Sequence, residues 1–249
     1  MIFAAGLGTR LRPLTDTMPK ALVRVGGQPL LWHVLMRLRD AGFERIVVNV
    51  HHFASQIVDY LDSNSHFGLD IRISDESGQL LETGGGIRKA LPLLDAGEPV
   101  LIHNVDILSN ADLEAFYLSA SQDPSADAWL IVNERSTSRY LLFDSDARLA
   151  GWTNVSTGEV KSPYPEFDAS LYTPLAFSGI HLIAPSLFPM LCQWPERFPI
   201  MDFYLRECDK AVVRAWKADG LRLLDVGKLN SLADAERFVG GQGNARPIQ

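Results

Sequence analysis

The densest set of chemistry-bearing residues lies near the N-terminus, in Ala4-Ala5-Gly6-Leu7-Gly8-Thr9-Arg10-Leu11-Arg12-Pro13-Leu14-Thr15, with Pro19-Lys20 close behind. Glycines let a backbone approach phosphate oxygens closely and aim N–H groups at them. Arg10 offers a planar fork that matches phosphate oxygens, and Lys20 a compact point charge. Two familiar phosphate motifs fail here. A dinucleotide fingerprint needs a third glycine at position 11, which is leucine, and a Walker loop needs Gly-Lys followed by Ser or Thr, which does not occur. What remains is anion binding by a glycine turn with flanking cations, or a plain tight turn with surface cations.

Two aspartates stand where predicted strands run out. Asp106 closes Asn104-Val105-Asp106 after the apolar Val100-Leu101-Ile102, and Asp225 follows residues 221–224. A carboxylate at such a place suits a hard cation. It equally suits a turn or cap: Asp106 ahead of the helix expected near Ala111, Asp225 ahead of Gly227. His103 reads as a packing group at a strand end rather than a catalyst. Gly84-Gly85-Gly86 opens a helix carrying Ile87, Ala90, Leu91 and Leu94, by close packing on its neighbours or as a ligand loop.

Positioning these groups needs a scaffold of alternating strands and helices. Residues 1–5 and Ile46–Val50 read as buried-type strands, and Leu69, Ile71 and Ile73 alternate with polar residues as in a half-buried strand. Leu30, Leu31, Val34, Leu35 and Leu38 recur at helical spacing up to the stop at Gly42, and a second helix runs through Ile57, Val58 and Leu61. The expected fold is α/β: a Rossmann-like, mixed, mostly parallel twisted sheet with helices on both faces and a small antiparallel excursion. Ligands in such sheets sit outside the carboxyl ends of the strands, where residues 6–8, Asp106 and Asp225 all fall. A hairpin is expected around Ser145-Asp146, a loop over 154–175, a strand over Ala176–Ile183, helices near 186–192 and 200–209, and strands at 211–216 and 221–224. Ser231 with Asp234 resembles a capping box for a last helix through Phe238. We expect one domain over 1–240 and a polar tail at 241–249.

Composition narrows the function further. The chain has 249 residues, 47% of them hydrophobic and 21% charged, which excludes wholesale disorder. The 23 Lys and Arg against 30 Asp and Glu give a net charge of −7, a poor balance for a protein built to grip nucleic acid. The two cysteines, Cys192 and Cys208, form no metal-type or disulfide-type cluster. No apolar run approaches the ~18 residues that span a bilayer, and no signal-type segment opens the chain. A cytoplasmic protein is expected, with no membrane or nucleic-acid partner.

Taken together, the segment from Ala4 to Thr15, Pro19-Lys20, Gly27-Gln28-Pro29-Leu30, Glu82-Thr83-Gly84-Gly85-Gly86-Ile87, Asn104-Val105-Asp106, Phe177-Ser178-Gly179-Ile180 and Asp225-Val226-Gly227 resemble the sugar 1-phosphate nucleotidyltransferases over nearly the whole chain. That resemblance implies the nucleotide-diphospho-sugar transferase fold and a reaction of a nucleoside triphosphate with a sugar 1-phosphate, giving a nucleotide sugar and pyrophosphate. It implies catalytic roles for Arg10, Lys20 and Asp106, and a nucleotide site from Ala5, Gly6, Gly8, Thr9, Arg10, Lys20, Glu82, Thr83 and Gly84. It further implies a sugar site at Asn104, Tyr140 and Gly179, Mg²⁺ held by Asp106 and Asp225, and a nucleotide-binding part at about 1–110 followed by a sugar-binding part at about 111–227. The Glu-Thr-Gly-Gly-Gly form most resembles the N-acetylmuramate 1-phosphate uridylyltransferases. A hexose or heptose 1-phosphate guanylyl- or thymidylyltransferase, or a silent nucleotide-sugar-binding regulator, is the alternative; the intact Arg10, Lys20, Asp106 and Asp225 argue against silence. The usual Asn-Gly-Asp is Asn104-Val105-Asp106 here, which puts a Cβ where close approach to the sugar is typical. Only five residues precede Gly6, fewer than the family usually shows, so a native start upstream is expected. Tyr164, Phe167 and Tyr172, in the stretch 152–174, are candidates to stack on a sugar, or anchors of a solvated loop. A monomer or homodimer is expected.

Overall fold

The computed structural model describes residues 1–218 and 220–242, and the chain divides into two compact, interleaved units. The first comprises Met1–Leu80, His103–Leu113 and the residues from Arg222 on; the second comprises Leu81–Ile102 and Glu114–Leu221. Of the predicted tail, Gly241 and Gln242 end the helix Leu232–Gln242, and 243–249 lie outside the described residues.

In the first unit, parallel pairing runs in the order residues 103–104 (the end of the strand Val100–Asn104), Ile2–Phe3, Arg45–Val50 and Asp70–Asp75. Ile2 stands between Val48 and His103, and Phe3 between Asn49 and Asn104. The interior of Arg45–Val50 is buried throughout, which is why it reads as a continuous apolar run rather than an alternating one. The helix Leu30–Asp40 buries Leu30, Leu31, Val34, Leu35, Met36 and Leu38. It stops where Gly42 adopts a positive φ and its amide donates to the Arg39 carbonyl. The short strand Ile107–Ser109 pairs antiparallel with Leu223–Asp225.

The second unit is built on Ala128–Asn133, a run the periodicity reading passes over although residues 128–132 are all buried. It pairs antiparallel with Thr173–Ile183 and parallel with Val213–Lys217. Thr173–Ile183 also pairs with Arg139–Phe143, which forms the expected hairpin with Leu149–Asn154. The expected loop over 154–175 is more ordered than its composition suggests. Glu159–Lys161 pairs with Leu149–Asn154 around a turn in which the Asn154 carbonyl accepts from the Thr157 and Gly158 amides. The antiparallel part is therefore most of this unit's sheet.

The last helix departs from the expected cap. The Ser231 hydroxyl donates back to the Lys228 carbonyl at 2.6 Å, and the Asp234 carboxylate pairs with Arg237, so the reciprocal bonds join Lys228 and Ser231. No helix among the described residues is long and apolar enough to cross a membrane.

Candidate active site

Because Ile2–Phe3 lies between two parallel strands, the segments that follow Phe3, Val50 and Asn104 leave the sheet at one edge. The glycine segment leaves first. The Asn49 side chain, buried inside the strand, accepts from the Ala4 amide at 2.7 Å and the Ala5 amide at 3.2 Å. Its own Nδ2 donates to Glu76 Oε1 at 2.8 Å, and Glu76 is buried as well. A buried polar pair is expensive unless fully bonded, and here its bonds fix the first two residues of the loop. Sequence reasoning missed Asn49 and Glu76. The available signal was a lone Asn within Ile46-Val47-Val48-Asn49-Val50.

The turn closes at Gly8, whose φ of +64° favours glycine; a Cβ there would also stand 2.9 Å from Thr15 Cγ2. The Gly8 carbonyl accepts from the Leu11 amide and from the Thr15 hydroxyl, each at 2.8 Å. Leu11 is fully buried and anchors the 3₁₀ turn Thr9–Leu11, which leaves Thr9 and Arg10 exposed. Gly6 is exposed, with open space where a Cβ would stand.

Lys20 starts the 3₁₀ turn Lys20–Leu22, set up by Pro19 in extended conformation. Its ammonium pairs with the Asp106 carboxylate, with side-chain exposures of only 10% and 21%. Asp225 joins them through the backbone: it stands opposite Ile107, and the Val226 amide donates to the Asp106 carbonyl at 2.8 Å. Arg10 arrives from the loop. A Cβ on Gly227 would lie 2.6 Å from Asp225 Oδ1 and 2.8 Å from Arg10 Nη2, so these two groups converge over a residue that has no side chain. Arg10, Lys20, Asp106 and Asp225 thus form one cluster within the first unit.

Val105 is buried and its amide donates to the Phe3 carbonyl, so the side chain that replaces the usual glycine belongs to the protein interior. His103 is fully buried, with Nδ1 at 2.8 Å from the Asn104 carbonyl; burial pushes its pKa down to about 4. It is neutral, as its structural reading requires.

The remaining predicted groups lie in the second unit. Glu82 opens the helix Glu82–Ala90 in the left-handed region and pairs with Arg197, while Thr83 Oγ1 accepts from the Ile200 amide. Gly84 and Gly85 both donate to the Phe198 carbonyl, and a Cβ would collide with the Phe198 ring at the first and the Glu196 carbonyl at the second. Close packing accounts for these two glycines. Tyr140 uses its hydroxyl to accept from the Thr137 amide, and Gly179 has φ +74° where the pairing of Thr173–Ile183 shifts register. The aromatics of 152–174 are engaged within the unit. Tyr164 donates to the Cys208 carbonyl, and Phe167 stacks on Tyr172 and lies against Gly151.

Residues 1–152 match the model of the nucleotidyl transferase family. The chain belongs to that family. Among other nucleotidyl transferases, it is similar to the N-acetylmuramate alpha-1-phosphate uridylyltransferase of Neisseria meningitidis, 37% identical over 246 residues that cover 96% of this chain and 97% of that one. The Caulobacter vibrioides protein of the same name is 40% identical over 192 residues, 75% of each chain. Among solved structures, a putative glucose-1-phosphate thymidylyltransferase from Bacillus anthracis shares the fold with a TM-score of 0.78 at 16% identity, covering 100% of this chain and 96% of that one. The matched segment includes Arg10, Lys20 and Asp106 but ends before Asp225.

Proposed function

We propose that this nucleotidyl transferase transfers a uridylyl group from UTP to N-acetylmuramate 1-phosphate, releasing pyrophosphate. The observation that carries the reading is the cluster of Arg10, Lys20, Asp106 and Asp225 beside the clamped glycine turn. Two cations and exposed backbone serve anionic reactants, and the likeness to two uridylyltransferases supports the base and the sugar.

In the reaction, an oxygen of the sugar phosphate attacks the α-phosphorus, and the bond from that phosphorus to the bridging β-phosphate oxygen breaks. The nucleophile is already an anion, so no general base is needed. The work left to the protein is to hold anions in line and neutralise developing charge. Lys20, kept in place by Asp106, supplies a fixed positive charge, and Arg10 a fork for phosphate oxygens. The N–H groups of the Gly6–Thr9 turn are the candidates to cradle the triphosphate.

Asp106 and Asp225 are the residues that would hold Mg²⁺. Their chemistry fits: two hard oxygen donors on neighbouring backbone segments. Mg²⁺ usually takes one or two carboxylates and completes its shell with water and substrate phosphates. When bound it would neutralise phosphate charge. The two free cysteines accord with a cytoplasmic setting, the enzyme acting as a monomer or homodimer.

The test is pyrophosphate release from four nucleoside triphosphates crossed with a panel of sugar 1-phosphates. UTP with N-acetylmuramate 1-phosphate should give the highest kcat/KM. A preference for GTP or dTTP overturns the uridylyl reading.

A further inference from the structure

The second unit contains a cavity of about 380 Å³ bounded by Arg135, Arg139, Lys161, Trp152, Phe177 and Asp202, among others. Small-ligand sites run from roughly 300 to 1,000 Å³ and combine apolar walls with a few placed polar groups. In a chain of net charge −7, three cations face one carboxylate here. Two of the cations are tied down. Arg135 Nη2 donates to the Phe177 carbonyl at 3.2 Å, and Lys161 stands 3.4 Å from Glu159 and 5.1 Å from the Trp152 ring centre. The Arg139 guanidinium has no hydrogen-bond or ion-pair partner among the described residues.

The cavity is lined by segments that carry two of the residues expected to hold the sugar, Gly179 and Tyr140. Phe177 stands two positions before Gly179, and the lining residue Thr137 donates its amide to the Tyr140 hydroxyl. We infer that this cavity is a carboxylate-reading sugar subsite, taking a sugar 1-phosphate that bears a second anionic group, with Arg139 as the fork that holds that carboxylate. A guanidinium matches a carboxylate with two parallel N–H···O bonds, which a neutral hydroxyl cannot return. Trp152 and Phe177 offer apolar faces to the ring or to an N-acetyl methyl group. Arg10 and Lys20 are already assigned to the reacting phosphates, and the inference gives Arg139 a further anion, the carboxylate. The inference rests on the proposed transfer to a sugar 1-phosphate and deepens it. Arg139 becomes a specificity residue.

N-acetylmuramate 1-phosphate and N-acetylglucosamine 1-phosphate differ only in the lactyl ether that carries the carboxylate, so the pair isolates the group. With UTP, Arg139→Gln should lower kcat/KM for the acidic sugar at least about tenfold, the scale of a lost charge-assisted hydrogen bond, and lower that for the neutral sugar far less. Arg139→Lys should recover part of the loss, and the melting temperature should not move. Equal losses on both sugars mean that Arg139 reads the phosphate, and no loss on either means that it reads nothing; each overturns the inference. A wild-type preference for neutral sugars also overturns it while leaving nucleotidyl transfer standing. If wild type releases pyrophosphate with no sugar at all, the reading of the activity fails instead. Titration of tryptophan fluorescence with N-acetylmuramate against N-acetylglucosamine then decides the subsite: binding of the acidic sugar alone, lost in Arg139→Gln, upholds it, and equal or absent binding sinks it.

Discussion

Lys20 and Asp106, 86 positions apart in the chain, form an ion pair that is largely withdrawn from water. The pair explains how two carboxylates can share one strand edge. Asp106 and Asp225 are drawn together by the pairing of Ile107 with Asp225, and like charges that close repel. Lys20 meets the first of them and Arg10 approaches the second, so the four formal charges cancel. A cluster balanced in this way is sensitive to any arriving anion or cation.

Removing Lys20 should cost activity and some stability. Its polar, proline-marked surroundings suggest a side chain free of the core, but Lys20 is buried, and its loss strands a half-buried carboxylate. Lys20→Ala should lower kcat/KM by about 10²–10³, the scale of losing one fixed electrostatic group. It should also lower the melting temperature by a few degrees, and Lys20→Met, which keeps the stem but strands the same carboxylate, should recover at most a minor part of the stability and none of the rate.

Asp106→Asn and Asp225→Asn each keep shape and remove one charge. If the two act through one cation, each single variant should lose turnover by orders of magnitude, and the double variant should be little worse than the worse single. Independent, fully additive losses in pyrophosphate release would show two separate structural roles.

The glycines separate into two kinds. A Cβ on Gly85 would stand 2.1 Å from the Glu196 carbonyl oxygen, so Gly85→Ala should destabilise by at least about 1–3 kcal/mol. A Cβ on Gly6 meets nothing, so Gly6→Ala should melt like wild type and show its defect as a raised KM for the nucleotide. Unfolding curves beside nucleotide titrations distinguish the two. A normal melting temperature for Gly85→Ala would contradict the packing seen at this helix.

Stability should fall in mild acid. Burial pushes His103 down to about 4 and His181 down to about 3, from an ordinary value of 6.5. Below about pH 6.5 the unfolded chain binds protons at these sites and the folded chain does not. Each histidine therefore removes up to roughly 1.4 kcal/mol per pH unit until its folded pKa is reached. Urea unfolding between pH 7 and 4.5 should show this slope, and His103→Gln should reduce it by one histidine's share.

What the sequence shows of this site is its local part. Glycine spacing, Arg10, Lys20 and the two strand-end aspartates are legible because each depends on residue type at a chain position. The alternation of strand and helix places their edge correctly. Long-range partners are not legible: the Lys20–Asp106 pair, the approach of Arg10 to Gly227 and the cavity around Arg139 need contacts between segments far apart in the chain. At Gly84 and Gly85 the sequence leaves close packing and a ligand loop both open, because their packing partners, Phe198 and Glu196, lie more than a hundred residues away. The strand Ala128–Asn133 escaped because a fully buried run has no alternation to announce it.

Asn49 and Glu76 offer the sharpest test of how the loop is held. Asn49 is at once acceptor for two loop amides and donor to a buried carboxylate. Asn49→Ala strands all three partners, and with about 1–3 kcal/mol for each buried group left unsatisfied it should cost at least about 2 kcal/mol. Asn49→Asp keeps the acceptor for Ala4 and Ala5 but sets a second carboxylate against Glu76, so it should also destabilise. Glu76→Gln alone should be milder, because an amide oxygen can still accept from Asn49. Combining Asn49→Asp with Glu76→Gln reverses the donor and acceptor across the pair. A carboxylate at position 49 can then accept from both loop amides and from the new amide at 76. The double variant should therefore melt above Asn49→Asp alone, with a coupling of the order of 1 kcal/mol or more, and should recover the KM for nucleotide that the single variant loses. Melting temperatures and nucleotide KM values that are simply additive would mean that the two side chains do not hold the loop together.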